Sequence, residues 1–197
     1  MRFKNILAAV PAVILFTVNS FAAEKFEIDK THSVISFTVR HMSIAKVTGQ
    51  FREFSGTIHY DEQDITKSSV NVTIKTASID TGNDNRDNHL RTGDFFNAPT
   101  DSLITFASKK IEKQGDGYVA VGDFTLRGVT KEVNLPFTIL GKVKDQRGNT
   151  RIGIEATLTL NRFDYGVKWD RKFDESNLIV GENVEIYLAV EASTSKQ

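Results

Sequence analysis

Apolar and polar residues alternate with a period of two along most of this chain, and this pattern leaves few folds open. In the stretch from His32 to Arg40, the odd positions Ile35, Phe37 and Val39 are apolar and the positions between them are polar. Alternation of this kind predicts a strand with one buried face. Later stretches repeat it at Val70, Val72, Ile74, Ile104, Phe106, Tyr118, Ala120, Phe124, Leu126, Val133, Leu135, Phe137 and Ile139, and again along residues 152–160 and 184–192. The chain is therefore predicted to contain about eight to nine strands.

The apolar face changes parity once inside one predicted strand. Gly49 and Phe51 occupy odd positions, whereas Phe54 and Ile58 occupy even ones. Successive residues of a strand point to opposite faces, so both sets can face the core only if the strand is interrupted between them. We therefore expect a bulge or bend near residues 52–53, as at the corner of a barrel.

The length of the predicted strands indicates how they are assembled. Several are near ten residues long, and the connections between them carry glycine or asparagine, as in Gln-Gly-Asp-Gly at 114–117. Long strands joined by short hairpins favour an up-and-down antiparallel barrel over a sandwich of shorter strands. The interior of a barrel of about eight strands is either filled by side chains or wide enough for one slender ligand.

One segment, from Thr81 to Phe96, breaks the alternation. It reads TGNDNRDNHLRTGDFF and gathers charged residues around Leu90 before two adjacent phenylalanines. This composition predicts a charged lid or mouth inserted between strands. Arg86 and Arg91 could bind an anionic head group, with a histidine of adjustable charge beside them. Alternatively, the segment is a short capped helix whose Asp and Arg residues pair with each other and with the backbone, and both interpretations can hold together.

The first residues have the layout of a secretory signal peptide. Arg2 and Lys4 precede an apolar run from Ile6 to Val18, and small residues follow around Ala22. This order of charged, apolar and small residues predicts cleavage after Ala22, and the run is short of the roughly 20 residues that a membrane span needs. We expect residues 1–22 to be removed and residues 23–197 to form a single barrel domain. The brevity of the signal suggests a bacterial protein and a periplasmic location.

Charge and composition exclude several classes of partner and chemistry. Without Arg2 and Lys4, 23 basic side chains face 25 acidic ones, so the expected mature chain lacks the basic excess that nucleic-acid binding requires. The chain contains no cysteine, which excludes a thiol nucleophile and a cysteine-bound metal. Its four histidines lie in no HxH or HxxxH arrangement within one element, and no G-x-S-x-G, phosphate-loop or dinucleotide motif is present. We expect no cofactor and no catalysis.

Phenylalanine and glycine share the predicted inward faces. Eleven of the 14 phenylalanines remain after residues 1–22 are removed, and most belong to strands. They could fill the core, which is the common role of a buried phenylalanine. Gly49, Gly56 and Gly122 lie on the same faces, however, and could leave room for a ligand. Residue patterns alone leave a filled core and a hollow tube equally open, and the occupant of a tube would be long and apolar.

Six blocks of sequence, in one order, resemble the YceI family of bacterial and often periplasmic proteins over essentially the whole chain after residue 22. The blocks are Ile28-Asp29-x-x-His32-Ser33 with Arg40-His41, Gly49-x-Phe51-x-x-Phe54-x-Gly56, Arg86-Asp87-x-His89-Leu90, Asp94-Phe95-Phe96, Gly122-Asp123-Phe124-Thr125-Leu126-Arg127-Gly128-Val129-Thr130 and Asn161-Arg162-x-Asp164-Tyr165-Gly166. Phe124 departs slightly from the pattern, because leucine is more usual there. The departure changes the expected tunnel volume slightly.

This resemblance implies a lipocalin-like, eight-stranded antiparallel barrel with a short helical insertion around residues 84–96. It favours the tube over the filled core and implies that the tunnel holds a polyisoprenoid or another long-chain amphiphile, such as an isoprenoid quinone, without catalysis. The residues that we expect to bind this ligand are Phe37, Phe51, Phe54, Ile58, Phe95, Phe96, Phe106, Phe124, Leu126 and Phe137, with Arg86, Asp87 and His89 at the polar mouth.

Two other classes of protein remain open. A lipid-active hydrolase would need a polar dyad inside the tunnel, for which His89 and His32 are candidates. An outer-membrane barrel would turn its apolar residues outward and enclose a polar lumen. A homodimer of barrels also remains possible. None of these alternatives is excluded by the residue pattern.

Overall fold

The structure is a computed structural model that describes residues 23–194. The predicted signal peptide, residues 1–22, lies outside the described residues. The strands are β1 Glu24–Ile28, β2 Val34–His41, β3 Ala45–Phe51, β4 Phe54–Tyr60, β5 Ser69–Lys75, β6 Ile79–Asp80, β7 Leu103–Gln114, β8 Gly117–Leu126, β9 Val129–Lys144, β10 Thr150–Asn161 and β11 Val180–Ser193. The α-helix α1 is Asp84–Arg91, and 3₁₀ helices span Lys30–His32, Ile65–Lys67, Thr76–Ser78 and Arg162–Tyr165.

The strands form one closed antiparallel sheet. Their order is β1-β4-β5-β7-β8-β9-β10-β11-β2-β3-β6, and β1 also pairs with β11. Because β2 pairs with β3 while β1 pairs with β4, the segments β1 and β2 act as one interrupted strand, and β3 and β4 as the next. β5 and β6 form a third interrupted strand along β4 and β3. The result is the predicted eight-stranded antiparallel barrel, with neighbours in space also neighbours in sequence.

The bend predicted from the change of parity is present. β3 ends at Phe51 and β4 begins at Phe54, so residues 52–53 interrupt the strand. The interruption between β1 and β2 has a different local cause. The carboxylate of Asp29 accepts a hydrogen bond from the backbone N–H of Thr31 at 2.9 Å and caps the 3₁₀ helix Lys30–His32.

The connections divide between the two ends of the barrel. The β2–β3 hairpin, residues 81–102, the β8–β9 turn and residues 162–179 lie at one end, which we call the capped end. Residues 61–68, 115–116 and 145–149 lie at the open-turn end, together with Glu24 and Ser193. The predicted helical insertion is α1 and the turns after it, so both the lid and the long β10–β11 connection belong to the capped end.

Apolar side chains point into the barrel and ion pairs lie outside it. The core contains Phe26, Ile35, Ile79, Ile104 and Ile152, each at most 4% exposed. The charged residues between the inward positions form exposed pairs such as Lys46–Glu185 and Lys109–Asp123. No helix among residues 23–194 is both long and apolar enough to cross a membrane.

Candidate ligand-binding cavity

An apolar cavity runs inside the barrel between its two ends. It reaches from Tyr60 and Ile65 at the open-turn end to Leu90 and Val180 at the capped end. The cavity volume is about 230 Å³, counted as the space open to the centre of a water molecule. The volume that ligand atoms can fill is larger. Nearly every side chain on its wall is aliphatic or aromatic, so the cavity suits an apolar chain.

Most of the residues predicted to contact a lipid tail lie on this wall. The structure places nine of the ten there: Phe37, Phe51, Ile58, Phe95, Phe96, Phe106, Phe124, Leu126 and Phe137. The tenth, Phe54, is absent from the wall and packs, half-buried, against the core cluster that contains Phe51. Phe54 is the first residue after the bend. Whether any of these residues binds a ligand remains a prediction.

One side of the cavity was missing from the predicted set. β10 contributes Ile154, Leu158 and Leu160, and β11 contributes Ile186 and Leu188 among others. The signal was available, because the even positions of both stretches are apolar almost without exception. The predicted set consists mainly of phenylalanines, although these aliphatic residues follow the same alternation.

The inward glycines do not leave open space. A Cβ atom added to Gly49 would lie 2.5 Å from Cζ of Phe37, and one added to Gly56 would lie 2.6 Å from Cδ1 of Ile28. At Gly122 the added atom would meet the backbone oxygen of Ala107 at 2.4 Å. The alternative that these glycines leave room for a ligand is wrong, because neighbouring atoms already occupy the space beside each of them.

The insertion at the capped end covers the cavity with apolar side chains. We call residues 81–98 the cap segment. Phe96 packs against Phe51 and Phe37, with ring centroids 5.9 and 6.4 Å apart. Phe95 is 6% exposed and stacks on Trp169 at 5.4 Å. Trp169 comes from the β10–β11 connection, so the two long connections of this end touch beside the cavity.

Hydrogen bonds within the cap segment hold α1 against Thr81, the residue that follows β6. The buried carboxylate of Asp87 accepts from the backbone N–H of Thr81 at 3.0 Å and from its hydroxyl at 2.5 Å. Arg86 donates to the hydroxyl and the carbonyl of the same threonine at 2.7 and 2.9 Å. Asn83 caps α1 by accepting from the backbone N–H of Arg86. The interpretation as a short capped helix thus describes this part of the segment.

Two further arginines fix the segment on either side. Arg91 donates to the carbonyls of Ala77 and Ile79, both at 2.8 Å. Arg127, in the β8–β9 turn, donates to the carbonyls of Gly93 and Phe95 at 2.7 and 2.5 Å. The sequence analysis noted Arg127 only within a family block. The two carbonyls that it binds belong to residues 34 and 32 positions earlier in the sequence.

The predicted polar mouth residues lie outside the cavity wall. Arg86 and Asp87 are engaged with Thr81, and His89 pairs with Asp94 at 2.9 Å while its ring contacts Phe95 at 5.0 Å. The structure assigns all three to holding the cap segment. Their binding of a ligand head group stays a prediction.

Two other residues with polar groups line the cavity, but only their apolar atoms face it. Arg162 is 5% exposed and Tyr165 is 2% exposed, and both belong to the 3₁₀ helix Arg162–Tyr165 at the capped end. Burial lowers the pKa of the Arg162 guanidinium and raises the pKa of the Tyr165 hydroxyl, because it disfavours the charged form of each. The sequence analysis noted these residues only within a family block.

One cluster has the residue types of a metal site. Asp29, His32 and Glu191 bring possible ligand atoms within 4.8 Å of one another at the open-turn end. Both carboxylates contact Arg151, which also binds Asp145 at 3.1 Å. Because the arginine cation already occupies the space between the carboxylates, we interpret the cluster as an ion-pair network that closes the barrel at the β1–β11 seam.

Comparison with known proteins gives consistent matches. The YceI-like domain family matches residues 26–192. Protein YceI of Salmonella newport is 35% identical over 195 residues, which cover 98% of this chain and 99% of the relative. The crystal structure of a Campylobacter jejuni YceI protein has a TM-score of 0.69 and 31% identity over 80% of this chain and 90% of that one. A domain from Saccharophagus degradans, described as polyisoprenoid-binding and implicated in plant cell wall breakdown, has a TM-score of 0.64 and 16% identity over 86% of this chain and 98% of that one.

Proposed function

This chain belongs to the YceI family, and we propose that it is a periplasmic binding or carrier protein for a long-chain isoprenoid or a similar amphiphilic lipid. The observation that carries the proposal is the apolar cavity between the two ends of the barrel. A ligand that fits it must be slender and apolar over most of its length.

Burial of the tail would supply most of the binding free energy. Each methylene group moved from water into an apolar site contributes about 0.8 kcal/mol, so a chain of several isoprene units can bind tightly with few polar contacts. Such a site discriminates weakly between tails of different length. Its selectivity depends on the few polar groups that contact the head group. The description of the Saccharophagus degradans domain as polyisoprenoid-binding supports this class of ligand through a shared fold.

The orientation of the side chains favours this proposal over an outer-membrane barrel. A barrel in lipid carries its apolar residues outside. Here the apolar residues line the interior, and the outer surface carries exposed ion pairs such as Lys75–Glu53 and Lys110–Glu112.

The periplasmic location rests on residues 1–22. Their tripartite pattern supports export, and a chain without cysteine folds without an oxidising partner wherever it is delivered. In the proposed function the ligand is bound and released unchanged. His89, a candidate for catalysis, pairs with Asp94 and is absent from the cavity wall.

Mass spectrometry of organic extracts tests the proposal directly. The protein would be released from its own periplasm by osmotic shock, purified without detergent and extracted beside an unrelated periplasmic protein as a control. We expect a long-chain isoprenoid or similar lipid in this extract and not in the control. Added quinone or polyprenol should change the fluorescence of Trp169, the single tryptophan, because its ring stacks on Phe95 at the cavity wall. Absence of both a co-purified lipid and a fluorescence change would contradict the proposal.

A further inference from the structure

Three large apolar side chains are exposed on two neighbouring loops at the capped end. Ile44, in the β2–β3 turn, is 84% exposed and is the most exposed large apolar side chain among residues 23–194. Met42 in the same turn is 36% exposed, and Phe173 in the β10–β11 connection is 38% exposed. Exposed apolar side chains that lie together mark contact with another protein or with a membrane. We call residues 42–44 and 171–179 the rim loops.

Backbone hydrogen bonds join the rim loops into an extension of the barrel wall. The N–H of Met42 donates to the carbonyl of Ile179 at 2.8 Å, and the N–H of Ile179 donates to the carbonyl of Arg171 at 2.9 Å. Residues 171–179 thus form a short hairpin beside the β2–β3 turn. Val180, the residue after Ile179, lines the cavity. The exposed apolar side chains therefore belong to the rim of the cavity.

The β2–β3 hairpin has two features that oppose its own folding. Met42 and Ser43 have φ angles of +48° and +62°, in the left-handed region where hairpin turns strongly prefer asparagine and glycine. Arg40 and Lys46 lie directly opposite each other on β2 and β3, and like charges in this arrangement are destabilising. Strain of this kind is concentrated at functional sites. A contact outside the fold explains an apolar side chain in this turn better than folding does.

The two loops and their flanking residues carry more positive charge than the rest of the molecule. Residues 40–46 and 168–179 contain five basic and three acidic side chains, which leaves 18 basic and 22 acidic ones in the rest of residues 23–197. Lys46 is paired with Glu185 at 2.9 Å. The other four basic side chains form no ion pair within the part of the chain that the structure describes: Arg40, Lys168, Arg171 and Lys172. These cations complement an anionic surface.

We propose that the rim loops dock the protein onto a membrane that contains anionic phospholipid. Ile44, Met42 and Phe173 enter the lipid, and the basic side chains beside them contact the phosphate groups of the lipid heads. This inference rests on the proposed function and adds the place where a lipid passes between the cavity and a membrane.

The size of the apolar cluster favours a membrane over a protein partner. Each partner in a stable protein–protein interface buries about 800 Å², and three side chains on two loops cover only a small part of such an area. A membrane requires no matching surface, because each apolar side chain that enters it contributes through its own area. Nearby lysine and arginine side chains add to this attraction when the lipid heads are anionic.

Cosedimentation of the purified protein with lipid vesicles tests the proposal. Binding to vesicles of phosphatidylethanolamine and phosphatidylglycerol should exceed binding to phosphatidylcholine vesicles by about threefold or more and should weaken with added salt. Ile44→Ser should lower the affinity for the anionic vesicles by about fivefold or more without loss of stability, because this side chain is exposed in the free protein. Leu140→Ser is the matched control, since Leu140 is 63% exposed on β9 towards the open-turn end.

Two changes in the strained turn separate docking from folding. Met42→Asn relieves the backbone strain and removes an apolar side chain, so the urea midpoint of unfolding should stay equal or rise while vesicle affinity falls by about twofold or more. Ser43→Gly relieves strain at the next residue and keeps all three apolar side chains, so it should bind vesicles as the wild type does. A Met42→Asn variant that is more stable and binds vesicles normally would contradict the assigned role of Met42.

The outcomes separate this inference from the proposed function. Equal loss of vesicle binding in Leu140→Ser and Ile44→Ser overturns docking through the rim loops. Self-association that is lost in Ile44→Ser, without vesicle binding by the wild type, also overturns it and assigns the loops to a second copy of the chain. Either result leaves the carrier proposal intact when a lipid is found in the native extract. Vesicle binding that depends on Ile44, with no lipid in the extract and no change in Trp169 fluorescence, supports the docking surface and ends the proposed function.

Discussion

Arg127 shows how a single side chain can hold the cap segment while its own backbone is strained. Its φ angle is +52°, in the left-handed region that disfavours residues other than glycine. Its guanidinium donates to the carbonyls of Gly93 and Phe95. Backbone strain of this kind costs about 1 kcal/mol or more and persists where other contacts outweigh it. We infer that the two charge-assisted hydrogen bonds are those contacts.

Replacement of Arg127 by glycine separates the strain from the bonds. Glycine relieves the strain but removes both bonds, each of which contributes roughly 1.5 kcal/mol at a partly exposed site. We therefore expect Arg127→Gly to lower the free energy of unfolding by about 1–2 kcal/mol and to speed lipid release, measured by urea unfolding and by transfer of a fluorescent lipid to vesicles. Arg127→Asn, which tolerates the same φ angle, should behave alike. A glycine variant as stable as the wild type would contradict the assigned role of the guanidinium.

Asp145 should make stability depend on pH in the acid range. Partial burial raises the pKa of Asp145, but hydrogen bonds from the backbone of Asn149 and from Arg151 outweigh it and lower the pKa from 3.8 to about 2. A carboxyl whose pKa is lowered by folding stabilises the protein above its ordinary pKa, and this contribution is lost as the pH falls towards the folded value. The same sign applies to Asp29, whose pKa is held well below its usual range chiefly by the hydrogen bond with His32.

Asp145→Asn should be less stable than the wild type at pH 7, and the difference should shrink as the pH falls from about 4 to about 2. The measurement is the urea midpoint of unfolding over a series of pH values. Asp116→Asn, in the exposed β7–β8 turn, is the control and should follow the wild-type curve. If the difference between Asp145→Asn and the wild type stayed constant through this range, Asp145 would not be the titrating group.

At the scale of elements, the parity of buried residues explains what the sequence could predict. Each interruption of a strand lies between inward-facing positions of opposite parity: Ile28 and Ile35, Phe51 and Ile58, Ile74 and Ile79. Only the second was recognised, because it fell within one apparently continuous alternation. A fourth change, between Phe106 and Ile111, matches the bulge between Ser108 and Lys110. The strands and the apolar wall follow from a local period, and so they were predictable.

The buried charge beside the cavity was not predictable in the same way. A buried charge such as Arg162 lies in a turn, where no period indicates which way a side chain points. Its three acceptors lie at residues 167, 180 and 181, and only the closed barrel brings them together. The role of Arg127 in holding the cap segment is hidden for the same reason. The charged stretch at 84–94 was conspicuous in sequence, yet its Arg86, Asp87 and Arg91 bind nearby parts of the chain.

The cap segment should contribute more to ligand retention than to folding. The double change Phe95→Ala and Phe96→Ala removes two rings from the cavity wall, and we expect lipid content after purification to fall severalfold. Some stability is lost too, because Phe95 is 6% exposed and its ring stacks on Trp169. Lipid content and the free energy of unfolding would be measured on the same preparations.

Phe26→Ala provides the matched comparison for this change. Phe26 is fully buried but does not line the cavity, so its loss should cost about 3–5 kcal/mol of stability while the folded fraction keeps its lipid. The Phe95 and Phe96 double variant should therefore lose more lipid than Phe26→Ala, whereas Phe26→Ala should lose more stability than the double variant. If the Phe95 and Phe96 double variant unfolds early but keeps its lipid, the cap segment serves only as core.

At the scale of the whole molecule, the question is whether the barrel is packed or hollow along its length. Interiors that are close-packed resist an added side chain, and overpacking typically costs 1–3 kcal/mol. A side chain added beside a cavity should cost little stability, but it should fill the space that a ligand would occupy. Two buried alanines on neighbouring strands allow this comparison, since Ala156 of β10 lines the cavity and Ala192 of β11 does not.

We expect Ala156→Phe to retain stability within about 1 kcal/mol of the wild type and to block the tail site, whereas Ala192→Phe should lose at least about 1–3 kcal/mol. Ala156 is 5% exposed and Ala192 is 0% exposed, so the two positions differ mainly in whether empty space lies beside them. Urea unfolding measures stability, and the amount of lipid in organic extracts measures occupancy. A ring at Ala156 that destabilises the protein as much as one at Ala192 would mean that the barrel is packed there. A stable Ala156→Phe variant with normal lipid content would mean that the ligand does not pass β10.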